Sequence, residues 1–173
     1  FLAAKDFDLK RMAESGVSLR WLREQLEACV AHEKLLLLDS SHAGEGKDLE
    51  RQPSAAVLLE ALKAPKEPAV FKTTNAIASS QPDQRGLDWE EKQQGLFAYF
   101  LAQGLAGQGD KNRDVHLEPT ELFDYLKNAM AKVSLNDKTQ TPVLFVPDDT
   151  PPPAPRLSDE AKQAIQTILA NNW

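Results

Sequence analysis

The stretch LLLLDSSHAG, residues 35–44, decides the fold predicted for this chain. Its four leucines predict a buried strand of a parallel sheet, and the small polar residues and glycine after them predict that the strand ends in a loop. In open α/β sheets, ligands bind at this carboxyl edge of the strands. The residues that follow Leu38 are therefore the first candidates for a functional site.

The flanking sequence alternates between helical and extended patterns. Helices are predicted over residues 18–31, 54–64, 89–105 and 120–133, and further strands over residues 69–74 and 143–146. Ser18 and Ser54 are expected N-caps, and Pro119 is expected in the first turn of its helix. Strands that alternate with helices predict an α/β fold, with a mainly parallel sheet flanked by helices on both faces.

The composition excludes several classes of function. The chain has 173 residues and a formal net charge of −6, and its basic residues are scattered, so nucleic acid is not an expected partner. Its single cysteine, Cys29, excludes an internal disulfide and a cysteine-based zinc site. No apolar run reaches the roughly 18 residues that cross a membrane. We therefore expect a soluble domain without a membrane segment, and its compartment stays open, with the cytoplasm as one candidate.

The sequence divides into three parts. Residues 1–147 carry the α/β pattern and are long enough for one core. Residues 148–156 are rich in proline and predict a stiff, extended linker. Residues 157–173 predict a C-terminal helix capped by Ser158. Because the chain begins at Phe1 rather than at methionine, we expect an excerpt of a larger protein, with its other domains as partners.

The turn after the four leucines resembles a nucleophile motif, because residues 39–44 match Asp-x-Cys-His-x-Gly with Ser41 in the place of the cysteine. Five further segments carry the same resemblance in the expected order: FLAAKD (1–6), GVS (16–18), TTNAIASSQPDQ (73–84), GLFAYFL (95–101) and QTP (140–142). The chain is similar to the peptidase domains of the caspase and metacaspase clan. This resemblance implies a caspase-like three-layer sandwich that lacks its first strand and the segment with the catalytic histidine.

The resemblance also implies roles for particular residues. Ser41 stands at the nucleophile position, His42 and Gly44 belong to the turn and oxyanion region, and the substrate-binding positions are Asp39, Asp6, Ser79 and Asp83. In this clan a histidine takes the proton of the nucleophile, and that histidine would lie before Phe1. An acidic pocket at Asp39 and Asp6 implies recognition of arginine or lysine.

The serine at position 41 determines the function that we expect. A serine hydroxyl ionises far less readily than a cysteine thiol, and it needs a well-placed base and an orienting group. We therefore expect an inactive peptidase homologue that binds a peptide or protein, or regulates an active relative, and that needs no cofactor. The alternative is an active endopeptidase that cleaves after arginine or lysine, with Ser41 as nucleophile and an upstream histidine as base.

A second alternative rests on residues 110–121, which resemble a calcium-binding EF-hand loop. Oxygen ligands at the expected spacing come from Asp110, Asn112, Asp114 and Glu121. Val115 occupies the position where the sharp turn of that loop calls for glycine, and two basic residues weaken the field at the site. A calcium-regulated interaction module therefore remains a weaker alternative.

Overall fold

The computed structural model describes residues 2–3, 8–31, 33–40, 54–63 and 71–147. Their principal sheet has three strands in the order β3-β4-β7, which are Leu35–Leu38, Asn75–Ala78 and Val143–Phe145. Two short antiparallel pairs stand apart from it. One joins β1 (Leu2–Ala3) to β2 (Gly16–Val17), and the other joins β5 (Asp88–Trp89) to β6 (Gln94–Gly95). The chain is thus mixed α/β, as predicted.

The principal sheet is mixed rather than mainly parallel over the described residues. β3 and β4 are parallel, with Leu35 opposite Asn75 and Leu38 opposite Ala78. β7 is antiparallel to β4, with Ala78 opposite Val143. The mainly parallel sheet that the alternation of strands and helices predicted is therefore wrong for these three strands, because the long connection between β4 and β7 returns the chain in the opposite direction.

Helices lie against both faces of this sheet. On one face, α2 (Leu19–Ala28) and α3 (Ala55–Glu60) pack on Leu36, Leu38 and the alanines of β4. On the other face, α4 (Leu96–Gln103) and α5 (Pro119–Met130) pack on Leu35, Leu37 and Ile77. The alternation of side chains along the strands divides the core between these two faces. A further short helix, α1, is Met12–Ser15.

The predicted helix starts are largely confirmed. The hydroxyls of Ser18 and Ser54 accept hydrogen bonds from the backbone N–H groups of Trp21 and Val57, each at 3.4 Å. Pro119 is the first residue of α5. A proline suits this position because the N–H that it lacks would have no partner within the helix.

Two predicted elements differ from the structure. The strand predicted over residues 69–74 is instead β4, which begins at Asn75 and is buried along its whole length. The helix predicted from Trp89 begins only at Leu96, because residues 88–95 form the β5–β6 hairpin around a 3-10 turn at Glu90–Lys92. β4 is formed where the core buries the chain, and the hairpin turns at Gln93, which has a positive φ of 52°.

The linker at 148–156 and the helix at 157–173 lie outside the described residues. Among the helices that the structure describes, none is long and apolar enough to cross a membrane.

Candidate functional site

Two of the predicted site residues lie side by side at the carboxyl edge of the sheet. Asp39 directly follows β3 and Ser79 directly follows β4, so the parallel register of the two strands brings them to neighbouring positions. The backbone N–H of Ser79 donates to the carbonyl oxygen of Leu38 at 2.9 Å, which extends the pairing past the strand end. Asp83 is not part of this pair and is exposed in a turn closed by a hydrogen bond between Gln84 N and Gln81 O at 3.0 Å. Ser41, His42, Gly44 and Asp6 lie outside the described residues.

The carboxylate of Asp39 faces the β5–β6 hairpin. A methyl group placed on Gly95 would lie 3.9 Å from Oδ2 of Asp39, so this glycine forms the adjacent wall. Asp39 is exposed as a residue, yet its carboxylate is partly buried, and this burial raises its pKa. The nearby charge of Asp88 raises the pKa further, while interaction with the Ser79 hydroxyl opposes the rise.

Among the residues that the structure describes, three buried serine hydroxyls at this edge have no hydrogen-bond partner of ordinary geometry. They belong to Ser40, Ser79 and Ser80. Ser79 and Ser80 are fully buried, and the influence of Ser79 on Asp39 is a close approach rather than a well-formed hydrogen bond. Buried polar groups are nearly always paired, because an unpaired group costs roughly 1–3 kcal/mol. Thr74 Oγ1 and Asn75 Nδ2, at the opposite end of β4, are buried without a partner as well, so these hydroxyls do not by themselves mark a ligand site.

Gln140 holds two walls of this edge together. Its side chain is almost completely buried, its Nε2 donates to the carbonyl oxygen of Ser79 at 2.9 Å, and its Oε1 accepts from the backbone N–H of Leu87 at 2.8 Å. Leu87 in turn accepts a hydrogen bond from the backbone N–H of Leu96 at 2.8 Å across the base of the hairpin. Gln84 adds a second link, because its Oε1 accepts from Thr141 N at 2.7 Å.

Sequence patterns alone do not predict a role for Gln140. The segment QTP was noted only as part of the resemblance, and nothing local shows that its glutamine reaches residues more than 50 positions away. The available signal was a glutamine three residues before a short apolar strand, where a polar side chain is near the core.

The hairpin beside Asp39 carries an aromatic cluster. The ring of Trp89 lies 5.2 Å from that of Tyr99 and 5.9 Å from that of Phe100, measured between centroids. The Nζ of Lys92 lies 5.7 Å from the Trp89 ring and 5.6 Å from the Tyr99 ring. An open cavity of about 220 Å³ is lined by Asp88, Trp89, Glu90, Gln93 and Gln94.

The predicted calcium ligands hold their own loop instead. The two carboxylate oxygens of Asp110 accept from the backbone N–H groups of Arg113 and Val115, at 2.7 and 3.0 Å. Asn112 and Asp114 make similar bonds to the backbone two residues on, and Glu121 accepts from Glu118 N at 3.4 Å. Within the part of the chain that the structure describes, no three or more His, Cys, Asp or Glu residues are grouped so as to hold a metal.

Comparison of the chain with protein-family models, with curated proteins and with solved structures finds no match.

Proposed function

We propose that residues 1–147 form a caspase-like domain without peptidase activity, which binds peptides or proteins through arginine or lysine at the carboxyl edge of its sheet. The observation that carries the proposal is the pairing of Asp39 with Ser79. The resemblance assigned substrate binding to both residues from segments 40 positions apart, and the register of β3 and β4 makes them neighbours. The finer fold, a caspase-like three-layer sandwich, is part of the same proposal.

The charges at this edge favour a cationic side chain. The charge of Asp88 disfavours ionisation of Asp39, so a guanidinium or ammonium group beside Asp39 relieves this repulsion. An arginine also brings five N–H donors in a planar fork, which suits a partly buried carboxylate such as that of Asp39.

The absence of peptidase activity follows from Ser41. A serine nucleophile requires a base within hydrogen-bond reach and usually a group that orients the base. His42 is adjacent to Ser41 in sequence, and adjacent residues in a turn normally point apart. The resemblance gives the role of base to a histidine before Phe1, and a serine in the place of the cysteine loses the easily ionised thiol on which that chemistry depends.

Peptide binding tests the proposal directly. A fluorescently labelled peptide with one arginine is compared with the same peptide carrying norleucine, by anisotropy at low salt. We expect the arginine peptide to bind at least tenfold more tightly, a difference of about 1.4 kcal/mol, and Asp39→Asn to abolish the preference. Asp124→Asn is the matched control, because it removes an equal charge from the exposed face of α5. Equal binding of both peptides by the wild type contradicts the proposal.

Turnover decides between binding and catalysis. The protein with the segment upstream of Phe1 restored, and its Ser41→Ala variant, are incubated with fluorogenic peptides that carry arginine or lysine at the cleavage position. We expect no turnover from either protein. Turnover that Ser41→Ala abolishes would establish the alternative, a serine-dependent endopeptidase, and would refute the inactive reading.

A further inference from the structure

The cavity on the β5–β6 hairpin lies directly beside the Asp39 edge. Asp88 lines the cavity, and its charge also acts on Asp39. Gly95, which pairs with Asp88 across the hairpin, approaches Oδ2 of Asp39. The cavity and the Asp39 edge therefore share one wall, and a single short peptide can reach both, because an extended chain advances about 3.3 Å per residue.

The lining of the cavity combines acidic and aromatic groups. Asp88 and Glu90 are exposed carboxylates on either side of Trp89. The ring of Trp89 is held by its contacts with Tyr99 and Phe100 and already attracts the ammonium group of Lys92. A carboxylate next to an aromatic face favours a side chain with a methylene stem and a cationic head.

The hairpin that forms this cavity is rigidly placed. The backbone hydrogen bond from Leu96 to Leu87 closes its base, and Gln140 fixes Leu87 from the opposite side. Gln93 closes the 3-10 turn with a positive φ of 52°. The backbone that carries the cavity is thus held in place before any ligand arrives, which lowers the entropic cost of binding.

We propose that this cavity is a second subsite for the same ligand, so that the protein prefers peptides with two basic side chains, one at Asp39 and one against Trp89 and Glu90. The inference rests on the proposed function, because it places the first basic side chain at the sheet edge. Lys92 opposes the second cation, since its own charge lies over the same aromatic rings.

The test compares peptides of equal charge. One peptide carries a single arginine, three carry a second arginine separated from the first by zero, one or two alanines, and a control carries the second arginine eight residues away. We expect at least one close pair to bind about tenfold more tightly than the distant pair, as an aromatic contact and a carboxylate together allow. Equal binding by close and distant pairs overturns the inference.

Variants locate the effect in the cavity. We expect Glu90→Gln and Trp89→Leu each to remove most of the advantage of the close pair, and Lys92→Ala to increase it. Glu91→Gln is the matched control, because Glu91 is exposed on the same turn and does not line the cavity. An advantage that survives both Glu90→Gln and Trp89→Leu also overturns the inference. If even the single-arginine peptide binds no better than its norleucine counterpart, the proposed function itself fails, which is a distinguishable result.

Discussion

Gln140 is the residue whose replacement tests most severely how the candidate site is built. Both ends of its amide are used in the interior, where Nε2 donates to Ser79 and Oε1 accepts from Leu87. Gln140→Met keeps nearly the same length and volume and removes both hydrogen bonds. The carbonyl oxygen of Ser79 and the N–H of Leu87 then lose their partner.

The expected loss of stability follows from the burial of these groups. An unsatisfied buried donor or acceptor costs roughly 1–3 kcal/mol. Ser79 is fully buried, so the loss of the partner of its carbonyl oxygen has the full effect on stability. Leu87 is half-buried, so water partly replaces the lost partner of its N–H group. We expect Gln140→Met to lower the free energy of unfolding by about 2–4 kcal/mol, which corresponds to a fall in Tm of roughly 5–15 °C for a chain of this length.

Gln84→Met is the matched control for this measurement. Gln84 also bridges two segments, with its Oε1 at 2.7 Å from Thr141 N and its Nε2 at 3.3 Å from Thr141 Oγ1. Its side chain is only half-buried, so we expect a loss of about 1 kcal/mol or less once water takes its place. Urea denaturation gives both values on one scale.

Hydrogen exchange adds a readout at one atom. The amide proton of Leu87 should exchange much faster in Gln140→Met, while the amide proton of Leu96, which donates to Leu87 O, serves as the internal reference. If Gln140→Met is as stable as Gln84→Met and the exchange of Leu87 is unchanged, the reasoning is refuted.

Three further predictions concern single residues. The raised pKa of Asp39 in the folded state makes the wild type lose stability as the pH rises above the ordinary pKa of 3.8. Asp39→Asn should therefore be more stable than the wild type at neutral pH and should lose this advantage below pH 3.8. Denaturation between pH 3 and 8 measures the difference in stability, and a difference that stays constant with pH would contradict the prediction. Gly104→Ala should cost about 1–3 kcal/mol in thermal denaturation, because its methyl group would lie 2.7 Å from Leu122 Cδ1 in the buried contact between α4 and α5. Asp110→Ala should lower Tm in the presence of a chelator, since two backbone bonds are lost; a stabilisation by calcium that only the wild type shows would instead support the calcium-regulated module.

The sequence predicted those elements whose signals are local. Four consecutive leucines located β3, and the serine and proline positions located the starts of α2, α3 and α5. β4 was misplaced because Asn75–Ala78 has weak strand propensity, and its small side chains suit close packing between helices on both faces. The hairpin at 88–95 was merged into a helix, since its aromatic and acidic residues also fit a helical period. Its turn depends on the left-handed Gln93.

In the candidate site, too, local sequence signals predicted one part and contacts between distant segments determine the rest. Asp39 follows the strand that the four leucines predicted, so the rule that ligands bind at the carboxyl edge was enough to single it out. Ser79 was assigned only through the resemblance, because the strand predicted before it ended at residue 74 and not at Ala78. Gln140, Asp88 and Gly95 belong to the site through contacts between distant segments, and a single sequence carries no measure of such contacts. The position of Asp39 after a strand end was predictable, whereas the contacts of Gln140, Asp88 and Gly95 that surround it were not.

A binding experiment distinguishes the structural role of Gln140 from the charge of Asp39. Because Gln140 orders the segment from Ser79 to Leu87, Gln140→Met adds an ordering cost to the binding of every ligand, and the arginine and norleucine peptides should lose affinity by the same factor. Asp39→Asn leaves the contacts of Gln140 intact and removes the charge, so only the arginine peptide should weaken. Most of that weakening is expected as a faster dissociation rate, since the association rate varies little among variants of one site. If Gln140→Met instead erased the preference for arginine and Asp39→Asn did not, the cation would lie elsewhere, and the edge between β3 and β4 would only support it.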